Sequence, residues 1–179
     1  MDKYHLLQQY RFDTMKDVEA NLSEETPHFF IRQDIDVLKS EIEGLQNELQ
    51  ITIPQDLIDF WKNVGVGQFY AEPPDEYAGC YQIMSVKRIL GVYFAEADKQ
   101  HSYNTIRADA KNFLVEYDLL AFCEFDEYSA LYIALHPDST GQYAVFSAPT
   151  IKIATSLEEF VGKLLEEPDY FLESDDFDE

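Results

Sequence analysis

Apolar residues recur at alternating intervals of three and four along residues 35–50, and polar residues fill the positions between them. This period is that of one face of an α-helix. We therefore predict a helix that begins near Asp34 and packs against its own domain, because the pattern covers only about two heptads where a coiled coil needs at least ~3. Its predicted apolar face comprises Ile35, Leu38, Ile42, Leu45 and Leu49.

A second helix is predicted directly afterwards, within the segment IPQDLIDFWKNVGVGQF at residues 53–69. Pro54 suits its first position, where a missing N–H leaves no hydrogen bond unmade. Gly65 is suited to end the helix in a left-handed conformation, and Gly67 to loosen the chain before a strand at Phe69. The short link predicts a tight helix pair with one shared apolar seam. On the second helix this seam comprises Leu57, Phe60, Trp61 and Val64.

Helical spacing also occurs in three other stretches. Residues 14–22 predict a short helix, and residues 83–97 predict a helix with Ser85 as its N-cap. In SLEEFVGKLLEE, Ser156 and Glu159 form a capping-box pattern that opens a last helix. The buried face of this last helix is predicted to comprise Leu157, Phe160, Val161, Leu164 and Leu165, with Pro168 after its end.

Two stretches between these helices lack a clear period. Residues 69–82 contain the acidic, proline-rich run EPPDE and end in GCYQ, which indicates a loop rather than a strand. Residues 98–112 are polar and are expected to form a loop or a loosely held helix at the surface.

Short runs of branched and aromatic residues follow at 119–125, 130–135 and 143–147, separated by turn-forming residues. This arrangement is typical of an antiparallel meander, and residues 151–154 predict one more strand. The predicted fold class is α+β: a mainly antiparallel sheet with N-terminal helices and a closing C-terminal helix packed against one face. We expect a single domain over residues 1–172 and a disordered acidic tail at 173–179.

Charge narrows the choice of partner. The formal net charge is -22, with 35 acidic and 13 basic side chains. Such a field repels phosphate groups, so it argues against nucleic acid and anionic membranes and favours a basic protein. No apolar leader follows Met1, and no apolar run reaches the ~20 residues needed to cross a bilayer. We expect a cytoplasmic protein, with a monomer favoured.

Candidate chemistry is sparse. The four histidines show no zinc-binding spacing, and Cys80 and Cys123 fit buried free thiols. The pair Gly65 and Gly67 lacks the third glycine of a dinucleotide-binding motif. Adjacent carboxylates at residues 75–76 and 126–127 leave a divalent-ion or acid–base site open as a minor alternative. We therefore expect no enzyme activity, no catalytic residues, no cofactor and no metal.

Five segments carry a family resemblance: IDVLKSEIEGLQNELQ, IPQDLIDFWKNVGVGQF, YQIMSVKRILGVY, AFCEFDEYSALYIAL and SLEEFVGKLLEE. In this order, over residues 35–167, they resemble the SUKH superfamily, the Smi/Knr-type domain. The resemblance implies an α+β binding module without catalytic residues. Bacterial members of the superfamily are commonly immunity proteins that bind and neutralise polymorphic toxins, often nucleases, whereas fungal members regulate cell-wall synthesis.

The leading hypothesis is thus an immunity protein whose acidic surface binds a basic toxin domain. The alternative is a regulatory interaction module of the cell-wall-regulator type without a toxin partner. We predict that the partner contacts an acidic loop and an acidic turn, with tyrosines as aromatic anchors. The predicted contact residues are Glu72, Asp75, Glu76 and Tyr77 in the loop, and Asp126, Glu127 and Tyr128 in the turn.

Overall fold

The computed structural model describes residues 4–21, 29–70, 80–94, 103–125, 129–167 and 170–171. A short 3-10 helix, His5–Gln9, comes first. The α-helices are α1 (Met15–Asn21), α2 (Lys39–Leu49), α3 (Gln55–Asn63), α4 (Val86–Phe94), α5 (Tyr103–Tyr117) and α6 (Leu157–Glu166). The strands are β1 (Arg11–Phe12), β2 (Phe29–Gln33), β3 (Val66–Tyr70), β4 (Cys80–Ile83), β5 (Leu119–Glu124), β6 (Ala130–Ala134), β7 (Val145–Ala148) and β8 (Ile151–Ala154).

The strands form one sheet in which sequence neighbours are also spatial neighbours, in the order β1 to β8. β1 pairs with β2 in parallel, and every other pair is antiparallel. The predicted α+β class and the meander from β5 to β8 are confirmed. Helices lie in the connections from β1 to β2, from β2 to β3 and from β4 to β5.

Helices cover both faces of the sheet, whereas the sequence predicted one. The Phe30 ring packs on Phe60 of α3 and on Phe69, and the strand registers carry this face across to Leu131 and Ile133 of β6. Tyr132 lies between these two residues and points to the other face, where its ring contacts Phe113 of α5. All three β6 side chains are buried. The apolar runs of β5 and β6 therefore have no solvated face.

The α3 helix matches its prediction closely, because all four stripe residues are buried. Pro54 was predicted to be the first helical residue, but it is the N-cap, and the helix begins one residue later at Gln55. The Trp61 indole donates a hydrogen bond from Nε1 to the Met84 carbonyl at 3.0 Å. The predicted tight pairing with α2 is wrong, since α2 packs mainly against α4 and α3 against α6.

The start of α2 was placed too early. The helix begins at Lys39, and Leu38 is its N-cap in an extended conformation. Ile35 and Leu38 stay 40% and 58% exposed. The Glu41 carboxylate accepts the Leu38 N–H at 2.9 Å, which fixes the helix start at Lys39, about five residues beyond the predicted one. Ile35 and Leu38 therefore match the apolar spacing of α2 although they lie before its first residue.

Two predicted loops contain regular structure. Cys80, Tyr81 and Gln82 belong to β4 rather than to a loop, because Tyr81 pairs with Phe69 and Gln82 with Glu124 of the neighbouring strands. Residues 103–117 form α5, where a surface loop or loose helix was expected over 98–112. Within α5, Ile106 and Ala110 are buried against the sheet. The β4 strand and the close packing of α5 were missed because burial comes from distant partners that local spacing does not reveal, whereas the helix alternative for this second stretch is correct.

The N-terminal part is more ordered than its weak pattern suggested. The short helix predicted at residues 14–22 is confirmed as α1, with Val18 buried. Before it, Tyr4 packs its ring edge-on against Phe60 at 5.0 Å and donates its hydroxyl to the Asp56 carbonyl. Leu7 is also buried. This segment therefore covers part of α3.

Candidate functional site

One end of the sheet gathers the connections that hold the predicted contact residues. Phe29 pairs with Tyr70, and Tyr70 with Cys80, so β2 and β4 begin where β3 ends. Glu124 pairs with Ala130, so β5 ends and β6 begins at the same end. The segments 22–28, 71–79 and 126–128 therefore all attach to this end of the sheet. We call it the acidic end.

The name follows from the sequences of these three segments. They contain no lysine or arginine, and their acidic residues are Glu24, Glu25, Glu72, Asp75, Glu76, Asp126 and Glu127. The described rings at their bases are packed together: Tyr81 stacks on Phe125 at 5.2 Å, and Phe171 contacts both. The final acidic residues, 173–179, follow directly after this contact.

All seven predicted contact residues, Glu72, Asp75, Glu76, Tyr77, Asp126, Glu127 and Tyr128, lie outside the described residues. Their role in partner binding stays a prediction. The described part of the chain adds one fact about them: the strands bring the ends of both predicted segments to one end of the sheet.

A second feature, which we call the polar groove, lies on the face of the sheet that α5 also covers. Its volume is about 270 Å³, and its lining includes polar side chains from three strands and from the first turn of α4. On this face Gln33 and Gln82 are only half-buried, whereas Ala130 and Tyr132 of β6 are buried. The lining residues are Gln33, Val66, Gln82, Met84, Ser85, Arg88 and Glu124.

A charged pair forms one wall of the polar groove. The Arg88 guanidinium donates from Nε to Glu124 Oε1 at 2.8 Å, and Nη2 donates to the same oxygen. The two side chains keep 32% and 15% of their surface exposed. Ser85 caps α4 as predicted, because its Oγ accepts the Arg88 N–H at 3.2 Å. The cap orients the first turn of α4 so that Arg88 reaches β5.

Two glutamines also line the polar groove, and their hydrogen bonds determine the orientation of both side-chain amides. Gln82 Nε2 donates to the carbonyls of Gly67 and Ile83 at 3.2 and 3.0 Å. Its Oε1 consequently turns to Gln33, whose Nε2 donates to it at 2.9 Å. Among the described residues, neither Gln33 Oε1 nor Glu124 Oε2 accepts a hydrogen bond. The groove thus presents two acceptors without donors.

Sequence reasoning missed the polar groove. Glu124 ends an otherwise apolar strand, and Gln82 lies between the apolar Tyr81 and Ile83. A polar residue inside a strand pattern is a signal that sequence alone provides. That these two residues stand side by side, next to Arg88, follows only from strand register and from the position of α4.

Nucleophilic or metal chemistry has little support in the described residues. None of their His, Cys, Asp and Glu side chains group in a way that could hold a metal ion. Burial raises the pKa of the Tyr4, Tyr93 and Tyr132 hydroxyls above the usual range, so they stay protonated at neutral pH. Cys123 is a buried free thiol, as predicted. Across the described ranges, no helix has the length and apolarity required to span a bilayer.

In the described residues, an eight-stranded, mainly antiparallel sheet with helices on both faces, an acidic end and a polar groove define a class of α+β domain whose candidate sites are binding surfaces. A family model described as the SMI1 / KNR4 family (SUKH-1) matches residues 37–163, and the chain belongs to this family. The resemblance to the SUKH superfamily is thereby confirmed. No curated protein and no solved structure gives a significant match to the chain.

Proposed function

We propose that this protein is a non-catalytic immunity protein of the cytoplasm that binds and neutralises a polymorphic toxin through its acidic end. SUKH domains are generally protein-interaction modules. The observation that carries the proposal is the attachment of three acidic segments without lysine or arginine to one end of the sheet. A surface of this charge suits a partner with a basic cleft, such as a nuclease.

Electrostatics gives this surface a specific advantage. A nuclease cleft is basic because it binds a polyanion, and an acidic inhibitor uses that same field to accelerate its encounter with the cleft. The net charge of -22 supplies long-range attraction, and the acidic end concentrates part of it near one surface. This steering acts on the association rate and weakens as salt shortens the Debye length to about 8 Å at physiological ionic strength.

Co-expression with a toxic polypeptide encoded beside this protein tests the proposal directly. We expect the two chains to copurify as a complex and the cells to survive. Copurification only with housekeeping enzymes, without rescue, would instead support the alternative of a regulatory module of the cell-wall-regulator type. Turnover of a substrate that requires a divalent ion would contradict both proposals.

Charge reversal at the predicted turn locates the interface. We expect Asp126→Lys combined with Glu127→Lys to slow association with the copurified toxin by about tenfold at low salt and to flatten its salt dependence. Stopped-flow fluorescence across a salt series measures both effects.

A matched control separates local from global charge. Glu116→Lys combined with Asp118→Lys changes the net charge by the same amount at two exposed sites just before the start of β5, away from the acidic end. This control should slow association much less. Equal effects of the two double variants would mean that only the total charge matters and would remove the turn from the interface.

A further inference from the structure

We propose that the polar groove binds the guanidinium group of an arginine side chain presented by the protein partner. This inference rests on the proposed function in one respect: the arginine is taken to belong to the proposed toxin partner. It assigns the groove a ligand of defined chemistry and identifies Gln33 and Glu124 as the residues that hold it.

The acceptors in the groove select a donor-rich group. Glu124 Oε1 takes both hydrogen bonds from Arg88, which leaves Oε2 without a donor among the described residues. The two carbonyls that hold Gln82 Nε2 orient the glutamine pair, so that Gln33 Oε1 is likewise left as an acceptor. A half-buried acceptor without a donor gains most from a ligand that brings N–H groups.

The placement of these acceptors favours a forked donor over a point charge. Gln82 lies directly opposite Glu124 on the neighbouring strand and is hydrogen-bonded to Gln33. Gln33 and Glu124, which carry the two open acceptors, are therefore both neighbours of Gln82, on its two sides in the sheet. A guanidinium carries five N–H donors in a rigid plane and can bond on both sides at once, whereas an ammonium is compact.

Charge and shape support the same ligand. Glu124 is the carboxylate of the groove, and the chain as a whole carries a net charge of -22, which attracts cations. Arg88 opposes a second cation, but its Nε and Nη2 are already committed to Glu124. Because these two nitrogens already donate to Glu124, fewer N–H groups of Arg88 are available to an anionic ligand. Val66 and Met84 add apolar lining for the aliphatic stem of an arginine.

A titration with small amides tests the assignment without any toxin. The probe is N-acetyl-arginine amide, and the readout is the pair of side-chain NH₂ signals of Gln33 and Gln82 in ¹⁵N NMR spectra. We expect saturable shifts of these signals with millimolar affinity. The neutral analogue N-acetyl-citrulline amide should bind at least about tenfold more weakly, because it lacks the charge-assisted hydrogen bond to Glu124.

Two variants and a control connect the binding to named atoms. Glu124→Gln should weaken arginine-amide binding by about tenfold. Gln33→Met removes the second acceptor while the Arg88–Glu124 pair stays intact, and it should weaken binding severalfold. Glu116→Gln removes an exposed carboxylate on α5 and should change nothing. Thermal melts of each variant show whether the protein remains folded.

Several outcomes would overturn the inference. These are the absence of saturable shifts, equal binding of citrulline amide, preference for N-acetyl-lysine amide or N-acetyl-glutamate amide, and full affinity in folded Gln33→Met. The titration is independent of the co-expression test. Arginine-amide binding without toxin rescue would leave this site standing and reject the immunity role, and rescue without arginine-amide binding would do the reverse.

Discussion

At the scale of single residues, the two glycines after α3 have different functions although the sequence shows them as a similar pair. Gly65 has φ +107°, the positive region that favours glycine and that a helix end uses, as predicted. Gly67 lies inside β3, so the prediction that it loosens the chain before the strand is wrong. A Cβ atom there would come within 2.2 Å of Phe30 Cζ and 2.4 Å of the Ile31 carbonyl oxygen. The backbone of β3 therefore approaches β2 and the Phe30 ring too closely for any side chain.

We expect Gly67→Ala to destabilise the protein by about 3 kcal/mol, the upper range for overpacking of a rigid core. For a chain of this size that corresponds to a drop in melting temperature of roughly 6–12 °C, measured by circular dichroism. Gly44→Ala is the matched control, since nothing lies within 4 Å of a Cβ at that position in α2. It should raise stability by up to ~1 kcal/mol through helix propensity. A Gly67→Ala melt equal to wild type would contradict the packing described for β3.

At the scale of elements, the capping box predicted for α6 forms only in part, because its glutamate binds a different residue. Ser156 Oγ accepts the Glu159 N–H at 3.1 Å, as the capping box predicts. The Glu159 carboxylate, however, accepts the N–H and the hydroxyl of Thr155 rather than the N–H of Ser156. The Thr155 hydroxyl, followed by Lys163, lowers the pKa of Glu159 to about 2. This network fixes the turn between β8 and α6.

The Glu159 network makes stability depend on pH in a defined window. Because its native pKa is lower than the reference value of 4.5, the contribution is fully present above pH 4.5 and disappears as pH falls towards 2. We expect Glu159→Gln to cost about 1 kcal/mol at pH 7, a value reduced for solvent screening of a one-third exposed side chain. The cost should fall to about a quarter of that value at pH 2.5 and disappear only below pH 2.

Thermal melts of wild type and Glu159→Gln at pH 7, 4.5, 3 and 2.5 measure this difference. Glu158→Gln is the control, since it removes a neighbouring carboxylate of the same helix turn. Its cost should vary less over the same range. A Glu159→Gln cost that is constant with pH would show that the carboxylate is not held by Thr155 and Lys163.

At the scale of the whole molecule, the single sheet holds the core on its faces and the attachment points of the acidic segments at one end. Three acidic segments attach to the acidic end, and the packed rings at their bases include one from the C-terminal part of the chain. Phe171 itself is buried and contacts Tyr81 and Phe125. Tyr170 donates its hydroxyl to the Ile153 carbonyl at 3.1 Å. The domain therefore includes residues 170–171, and the acidic tail begins just beyond them.

Two truncations distinguish the tail from the domain. Removal of residues 173–179 should leave the melting temperature within about 2 °C of wild type, because their acidic sequence predicts a disordered tail. Removal of residues 168–179 also deletes Tyr170 and Phe171 and should cost ~3 kcal/mol or more, about 6–12 °C. Differential scanning calorimetry measures both. A large drop for the shorter truncation would mean that the tail packs on the domain.

The sequence by itself determined those elements whose signals are local. The α3 stripe, the Ser85 and Ser156 caps, the strands from β5 to β8 and the α+β class follow from period and capping chemistry, which act over a few residues. Tertiary structure decided the start of α2, the β4 strand, the packing of α5 and the burial of both sheet faces. It also decided the polar groove, because Gln33, Gln82, Arg88 and Glu124 meet only through strand register and helix placement. Contacts between residues distant in sequence leave no periodic pattern, and only the folded chain brings them together.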